Sequence, residues 1–167
     1  MRSIEAINIV KNILRKYITD PFSYANANSR SGDQWIFSNE PHLTNRFPII
    51  KLEKFDNPSQ PISIGHDYIE HEQLYIYIRF ACKNGFKIRP NNIEYTNAEV
   101  VEYYLSEIKQ VLKSKFTELQ DLGVGGYKHT NTSDISYDED TQLYHGYVII
   151  RVWYFNKWKP QFNLTDN

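Results

Sequence analysis

The sequence predicts an α+β domain, in which a mainly antiparallel β-sheet carries two α-helices packed on one face. Residues 3–18 and 96–123 repeat apolar side chains every three or four positions, as one face of an α-helix does. Residues 70–82 and 143–155 instead follow the two-residue period of a strand. Because helices and strands do not alternate regularly, this pattern favours α+β over a parallel α/β fold.

The helix over residues 96–123 is predicted to be the element around which the core packs. Thr96 and Glu99 are spaced as a capping box, and Gly123 supplies a left-handed stop. Burial of its apolar stripe contributes about 1.5–3 kcal/mol per side chain. The members of the stripe are Val101, Tyr104, Leu105, Ile108, Val111, Leu112, Leu119 and Leu122.

Outside the segment 22–46, five strands are predicted, over residues 47–55, 62–64, 70–82, 127–135 and 143–155. In the third of them, one face collects Leu74, Ile76, Ile78 and Phe80, and the other collects Gln73, Tyr75, Tyr77 and Arg79. The last strand is apolar on both faces, which predicts either a central position in the sheet or a second face that meets a partner.

The chain is predicted to be one domain over residues 1–167, with a long loop or arm over 22–46 and a flexible tail over 159–167. The arm is rich in Asn and Ser and contains one short strand around Trp35. An acidic turn over 138–140 is predicted to be a solvated hairpin tip.

Composition excludes several classes of partner. Nineteen basic and twenty acidic residues give a net charge of -1, so no electrostatic footprint for sequence-specific nucleic-acid binding or for a membrane is expected. Cys82 is the sole cysteine, which excludes an intramolecular disulfide. Thirteen tyrosines suit either a small β-rich core or surfaces that bind other proteins.

No motif predicts catalysis, so we expect a non-enzyme with no cofactor-binding or metal site. The densest polar cluster lacks the helical spacing of a zinc motif, and the structural alternative is a solvated loop at the start of a strand. Cys82 ends an apolar strand, as a buried thiol does. The glycines of 123–126 follow a helix instead of opening one, so they do not form a phosphate loop. The members of the polar cluster are His66, Asp67, Glu70, His71 and Glu72.

The order of elements resembles a known family. It begins with a helix patterned as Ile4, Ile7 and Val10, and continues with the segments 46–52 (RFPIIKL), 72–78 (EQLYIYI) and 147–153 (YVIIRVW). This order is similar to that of the tail terminator and tail-completion proteins of tailed bacteriophages and archaeal tailed viruses, over about residues 3–158. The arm and the glycine-rich loop after Gly123 are where this chain is expected to depart from the family.

The resemblance implies a structural virion protein of the tail or neck, made in the host cytoplasm. Such a subunit forms a homo-oligomeric ring, a hexamer, that caps the tail tube and joins it to the head-neck connector protein. Its partners are therefore copies of itself, the tail tube protein and that connector. The residues predicted to lie between subunits are Trp35, Phe37, Tyr75, Tyr77, Arg79, Tyr147, Arg151 and Trp153.

Three other hypotheses remain open at this point. The chain is a head-closure or neck connector subunit, which sequence barely separates from a terminator. It is a small metal-dependent nuclease or hydrolase that uses His66, Asp67 and His71, since imidazole and carboxylate bind divalent metals. Or it is a ligand-binding or regulatory module whose long loops close over a pocket.

Overall fold

In the residues that the computed structural model describes, 3–38, 46–56, 59–64 and 67–158, three helices accompany a seven-stranded sheet and a small two-stranded one. The helices are α1 (Ser3–Tyr17), α2 (Ala98–Ser114) and α3 (Phe116–Asp121). The strands are β1 (Ile36–Phe37), β2 (Ile49–Asp56), β3 (Ser59–Ile64), β4 (Asp67–Lys83), β5 (Lys87–Ile88), β6 (Tyr95–Thr96), β7 (Gly126–Thr132), β8 (Ser136–Asp138) and β9 (Leu143–Trp158). This confirms the α+β prediction.

The main sheet is organised by β4 and β9, which pair without interruption from Tyr68 opposite Trp158 to Lys83 opposite Leu143. The path of the sheet is β1-β2-β4-β9-β7, with β3 added to β4 and β8 added to β9. All pairs are antiparallel except β1 with β2, which run parallel. At about 3.4 Å per residue, the β4–β9 ladder is about 50 Å long, well beyond an ordinary strand pair.

One face of the sheet is covered by the helices. Because side chains alternate along a strand, the even-numbered positions 50–52 of β2, 74–82 of β4 and 148–154 of β9 point toward α1 and α2. They form one continuous cluster with the apolar stripes of both helices. The fully buried strand residues in it are Ile50, Leu52, Leu74, Ile76, Ile78, Phe80, Cys82, Val148, Ile150, Val152 and Tyr154.

The predicted long helix divides at Lys115, where the backbone leaves helical geometry (φ -103°, ψ 20°). One residue earlier, the Ser114 hydroxyl donates to the carbonyl oxygen of Val111 at 3.1 Å, a side-chain bond that competes with the helix ladder. Gly123 does adopt a left-handed conformation (φ 105°), as predicted. The long helix is therefore two helices, α2 and α3.

The start of α2 retains half of the predicted capping box. The Glu99 carboxylate accepts from the backbone N–H of Thr96 at 3.1 Å. Asn97 is the N-cap residue and makes no side-chain cap bond, since its Oδ1 accepts from the N–H of Gly85 at 2.7 Å. Asn97 therefore ties the β4–β5 turn to the start of the helix.

Residues 22–38 of the predicted arm pack on the body of the domain. Asp20, 5% exposed, accepts from the guanidinium of Arg30 at 2.8 Å, and the same guanidinium donates to the carbonyl oxygen of Pro48 at 2.9 Å. Arg30 also lies over the Phe22 ring, 4.0 Å from its centroid. The rest of the predicted arm, residues 39–45, and the predicted tail, 159–167, lie outside the described residues.

Candidate interaction surface

The odd-numbered positions 51–55 of β2, 75–79 of β4 and 147–153 of β9 point away from the helices and define the uncovered face of the sheet. In the described part of the chain, no helix packs on this face. Neighbouring strands bring its residues into rows, with Lys51 opposite Arg79 and Arg79 opposite Tyr147. The face comprises Lys51, Glu53, Phe55, Tyr75, Tyr77, Arg79, Tyr147, Ile149, Arg151 and Trp153, with Gly126 and Lys128 at its β7 edge.

An aromatic ladder crosses the middle of the uncovered face. The Tyr77 ring meets Phe55 edge-on, with centroids 4.6 Å apart, and meets Tyr147 edge-on at 4.9 Å. Such pairs are worth about 0.5–1.5 kcal/mol beyond their buried area. Phe55 is still 57% exposed, so the ladder ends in a large apolar side chain open to a neighbour.

Trp153 and Gly126 fit together at the β7 edge of the face. They are directly opposite in the β7–β9 pair, and a Cβ on Gly126 would lie 1.8 Å from Cε2 of Trp153. The position therefore needs glycine for close approach of the indole. The Arg151 guanidinium lies 5.4 Å from the centroid of the Trp153 ring, in cation–π range, and its Nε is buried without a hydrogen-bond partner.

Cationic side chains outnumber carboxylates among the side chains described on the uncovered face. Nζ of Lys51 lies 2.5 Å from Oε1 of Glu53, so this pair is internally neutral. Arg79 and Lys128 are exposed, and Arg151 is half-buried. The face is therefore positively charged although the chain carries a net charge of -1.

A cleft of about 280 Å³ lies at the end of the uncovered face near the β8–β9 turn. Its walls are mixed, with Phe47 and Ile49 beside Lys51, Arg79 and His145. Asp138 closes it. A hydrogen bond from the Thr141 side chain holds the pKa of this carboxyl below its usual range, so it is ionised at neutral pH. The predicted acidic turn therefore forms one rim of the cleft.

Seven of the eight residues predicted to lie between subunits share the uncovered face. Six of them are on β4 and β9, and Phe37 of β1 lies opposite Lys51 at the outer edge. Their contact with another subunit stays a prediction. Trp35 is different, because it is 1% exposed and packs edge-on against Tyr104 with centroids 6.2 Å apart. It is a core residue, so its replacement would act on folding.

Sequence reasoning missed Phe55, Ile149, Lys128 and Gly126 of the same face. The ladder between β2 and β4 shifts register between Lys54 and Asp56, which interrupts strict alternation just at Phe55. The last strand was predicted to be apolar on both faces, and Ile149 belongs to the second of those faces. Lys128 and Gly126 required the pairing of β7 with β9, which composition does not reveal.

The residues named for the metal-binding hypothesis do not form a metal site within the described structure. There, no three residues of the types His, Cys, Asp and Glu are grouped to hold a metal. His66 and the side chains of Asp67, Glu70 and His71 lie outside the described part. The Glu72 carboxylate accepts from the Tyr154 hydroxyl at 2.6 Å.

Cys82 is fully buried, and burial raises the pKa of its thiol to about 12. Its Sγ lies 3.8 Å from the carbonyl oxygen of Asn97. Since the thiolate is the nucleophilic form, the environment of Cys82 suits a packing role. None of the helices in the described residues is long and apolar enough to cross a membrane.

Comparisons with known proteins identify no family. No protein-family model matches the chain. No curated protein matches it either. Among solved structures, a chain from the virion of a native gene transfer agent (GTA) particle is similar with a TM-score of 0.33 and 8% identity, covering 82% of this chain and 92% of that chain. A TM-score this low carries no argument about function.

Proposed function

We propose that this protein is a structural, non-enzymatic subunit of a tailed virus particle, a tail terminator or tail-completion protein. It assembles into a ring of about six copies that caps the tail tube and joins it to the head-neck connector. The observation that carries the proposal is the uncovered face of the sheet, whose aromatic ladder suits contact with another protein surface, as do Arg79 and Lys128, exposed cations with no ion pair among the described residues.

The composition of the uncovered face supports a protein contact. Tyr, Trp, Phe and Arg are enriched in protein interfaces, and this face carries Tyr75, Tyr77, Tyr147, Trp153 and Arg79 side by side. Phe55, 57% exposed, provides an anchor at the β2 side. A surface of this kind needs no catalytic group, which agrees with the proposed structural role.

The element order supports the choice of family. The described helices and strands follow the order on which the resemblance to tail terminators rests, with a first helix, a strand, a strand pair, a helical segment and closing strands. The β4–β9 ladder, extended by β3 beyond the end of the β2 pairing, also provides the strand edges that ring subunits need for neighbours.

Native mass measurement over a concentration series, with negative-stain imaging of the heaviest species, tests the proposal. We expect closed rings of about six subunits, because a head-to-tail contact that closes produces cyclic symmetry. Incubation with purified tail tubes and, separately, with connector rings distinguishes a terminator from a head-closure subunit. Failure to form rings, alone or on tail-tube ends, would contradict the proposed function.

A further inference from the structure

Charge is distributed unevenly between the two sides of the sheet. On the uncovered face, Arg79, Lys128 and Arg151 form no ion pair with any residue in the described ranges. An arginine without a carboxylate partner presents a planar fork of donors that matches a carboxylate in two-point geometry. The face is therefore prepared for an acidic partner surface.

An acidic notch of about 320 Å³ lies on the helix side, between α2 and the segment 132–135. It is lined by Glu102, Ser106 and Lys109 of α2, and by Ser133 and Asp134. Glu102 and Asp134 are both exposed, and within the described chain neither forms an ion pair. The notch thus offers two carboxylates against the single ammonium group of Lys109, beside hydroxyl groups, and is net acidic.

We infer that the uncovered face of one copy docks onto the acidic notch of the next copy. Arg79 and Arg151 then meet Glu102 and Asp134 across the contact, and Phe55 packs at the rim. The inference rests on the proposed ring function and specifies which two surfaces form the ring. Since the two surfaces differ, we assign a head-to-tail contact, whose repetition forms a ring when the rotation between copies closes.

A two-fold contact between two uncovered faces is disfavoured by the same charges. It would set the cations of one face against the cations of the other, and like charges in an interface cost affinity and suppress the pairing. The notch has the opposite sign and lies on another side of the subunit. The charges therefore favour the pairing of face with notch over the pairing of face with face.

Single-stranded nucleic acid is a less suitable occupant of the uncovered face. Base stacking needs free ring faces, but the Tyr77 ring is engaged edge-on by Phe55 and Tyr147, and Trp153 contacts Arg151 and Gly126. The overall charge of -1 adds no long-range attraction for phosphates. We therefore assign the face to a second copy of this chain.

Charge reversal tests the assignment by native mass measurement of two single variants, Arg79→Glu and Glu102→Arg, alone and mixed. Each variant alone places like charges across the contact, so its apparent dissociation constant should rise about tenfold or more. An equal mixture should form rings in which the two variants alternate. At one contact, Arg79 of the Glu102→Arg copy meets Glu102 of the Arg79→Glu copy. At the next contact, the two substituted side chains meet, again with opposite charges. Lys113→Glu, exposed on α2 outside the notch, is the control and should assemble normally.

The outcomes separate this inference from the proposed function. Rings that form equally well from both single variants overturn the assigned contact while the ring function stands. A wild-type chain that remains a monomer at every concentration and on tail-tube ends overturns both. A third outcome is that the chain does not assemble but binds a labelled single-stranded oligonucleotide, and that Arg79→Glu abolishes this binding. The uncovered face would then bind nucleic acid, which also overturns the inference.

Discussion

The two faces of the sheet are built from alternate residues of the same strands, and they differ in how far their side chains are buried. On the covered face, Ile76 and Ile150 are fully buried under helices α1 and α2. On the uncovered face, their strand neighbours Tyr77 and Arg151 remain half-buried beneath no other described element. The covered face therefore stabilises the fold, whereas the uncovered face keeps side chains accessible for contact with a partner.

The largest effect on stability is expected for a large-to-small substitution on the covered face. Phe80 is fully buried and stacks on Tyr104, with ring centroids 4.6 Å apart and planes within 6°. Phe80→Ala should lower the free energy of unfolding by about 3–5 kcal/mol, because it leaves a cavity in the core. Urea denaturation followed by circular dichroism measures this loss. A loss equal to that of Tyr77→Ala on the uncovered face would contradict the distinction between the faces.

The next largest effect is expected where the uncovered face is itself closely packed. Gly126→Ala should cost about 3 kcal/mol, since the new Cβ overlaps the Trp153 indole. The same denaturation experiment in a Trp153→Ala background is the control. There the added Cβ has room, so the cost of Gly126→Ala should largely disappear. An equal loss of stability in both backgrounds would show that the destabilisation arises in the β7 backbone and not from contact with the indole.

A smaller loss is expected from the single hydroxyl of Tyr154. Its side chain is fully buried and donates to Glu72 at 2.6 Å. Tyr154→Phe removes this bond with little change of shape, so the free energy of unfolding should fall by about 1–2 kcal/mol. Chemical denaturation monitors it, and Tyr137→Phe, on an exposed ring, is the matched control with no expected effect. Equal stability of wild type and Tyr154→Phe would show that the bond contributes nothing net.

The smallest effect on stability is expected for the exposed apolar side chain of the uncovered face. Phe55→Ser should lower the free energy of unfolding by about 0.5–1.5 kcal/mol, because it removes the edge-on ring pair with Tyr77. Ile93→Ser is a close match, because Ile93 is 56% exposed and Phe55 57%, and it lies between β5 and β6, away from the main sheet. Thermal melting of both variants checks this, and a large loss for Phe55→Ser alone would make it a core residue.

Much of the fold could be predicted because periodicity is local. The alternation in β4 assigned Leu74 and Tyr75 to opposite faces, and the structure confirms it. The division of the long helix at Lys115 could not be predicted, since the apolar stripe continues through it to Leu119.

The position of Trp35 was also beyond reach of the sequence, for a physical reason. It is preceded in sequence by polar residues and followed by Ile36 and Phe37, a pattern that predicts a short strand in the arm but not burial in the core. Its burial depends on contact with Tyr104, which is remote in sequence, and on the Arg30 side chain of the same arm. Similarly, the acidic notch exists only because Asp134 and α2 are brought together by the β7–β9 pairing.

The most direct test of the central claim, that the uncovered face is completed by another copy, is sedimentation equilibrium of wild type, Phe55→Ser and Ile93→Ser at matched concentrations. We expect rings for wild type and Ile93→Ser, and a shift toward monomer for Phe55→Ser although this variant remains folded. Identical association of all three proteins, or loss of association in Ile93→Ser alone, would contradict it.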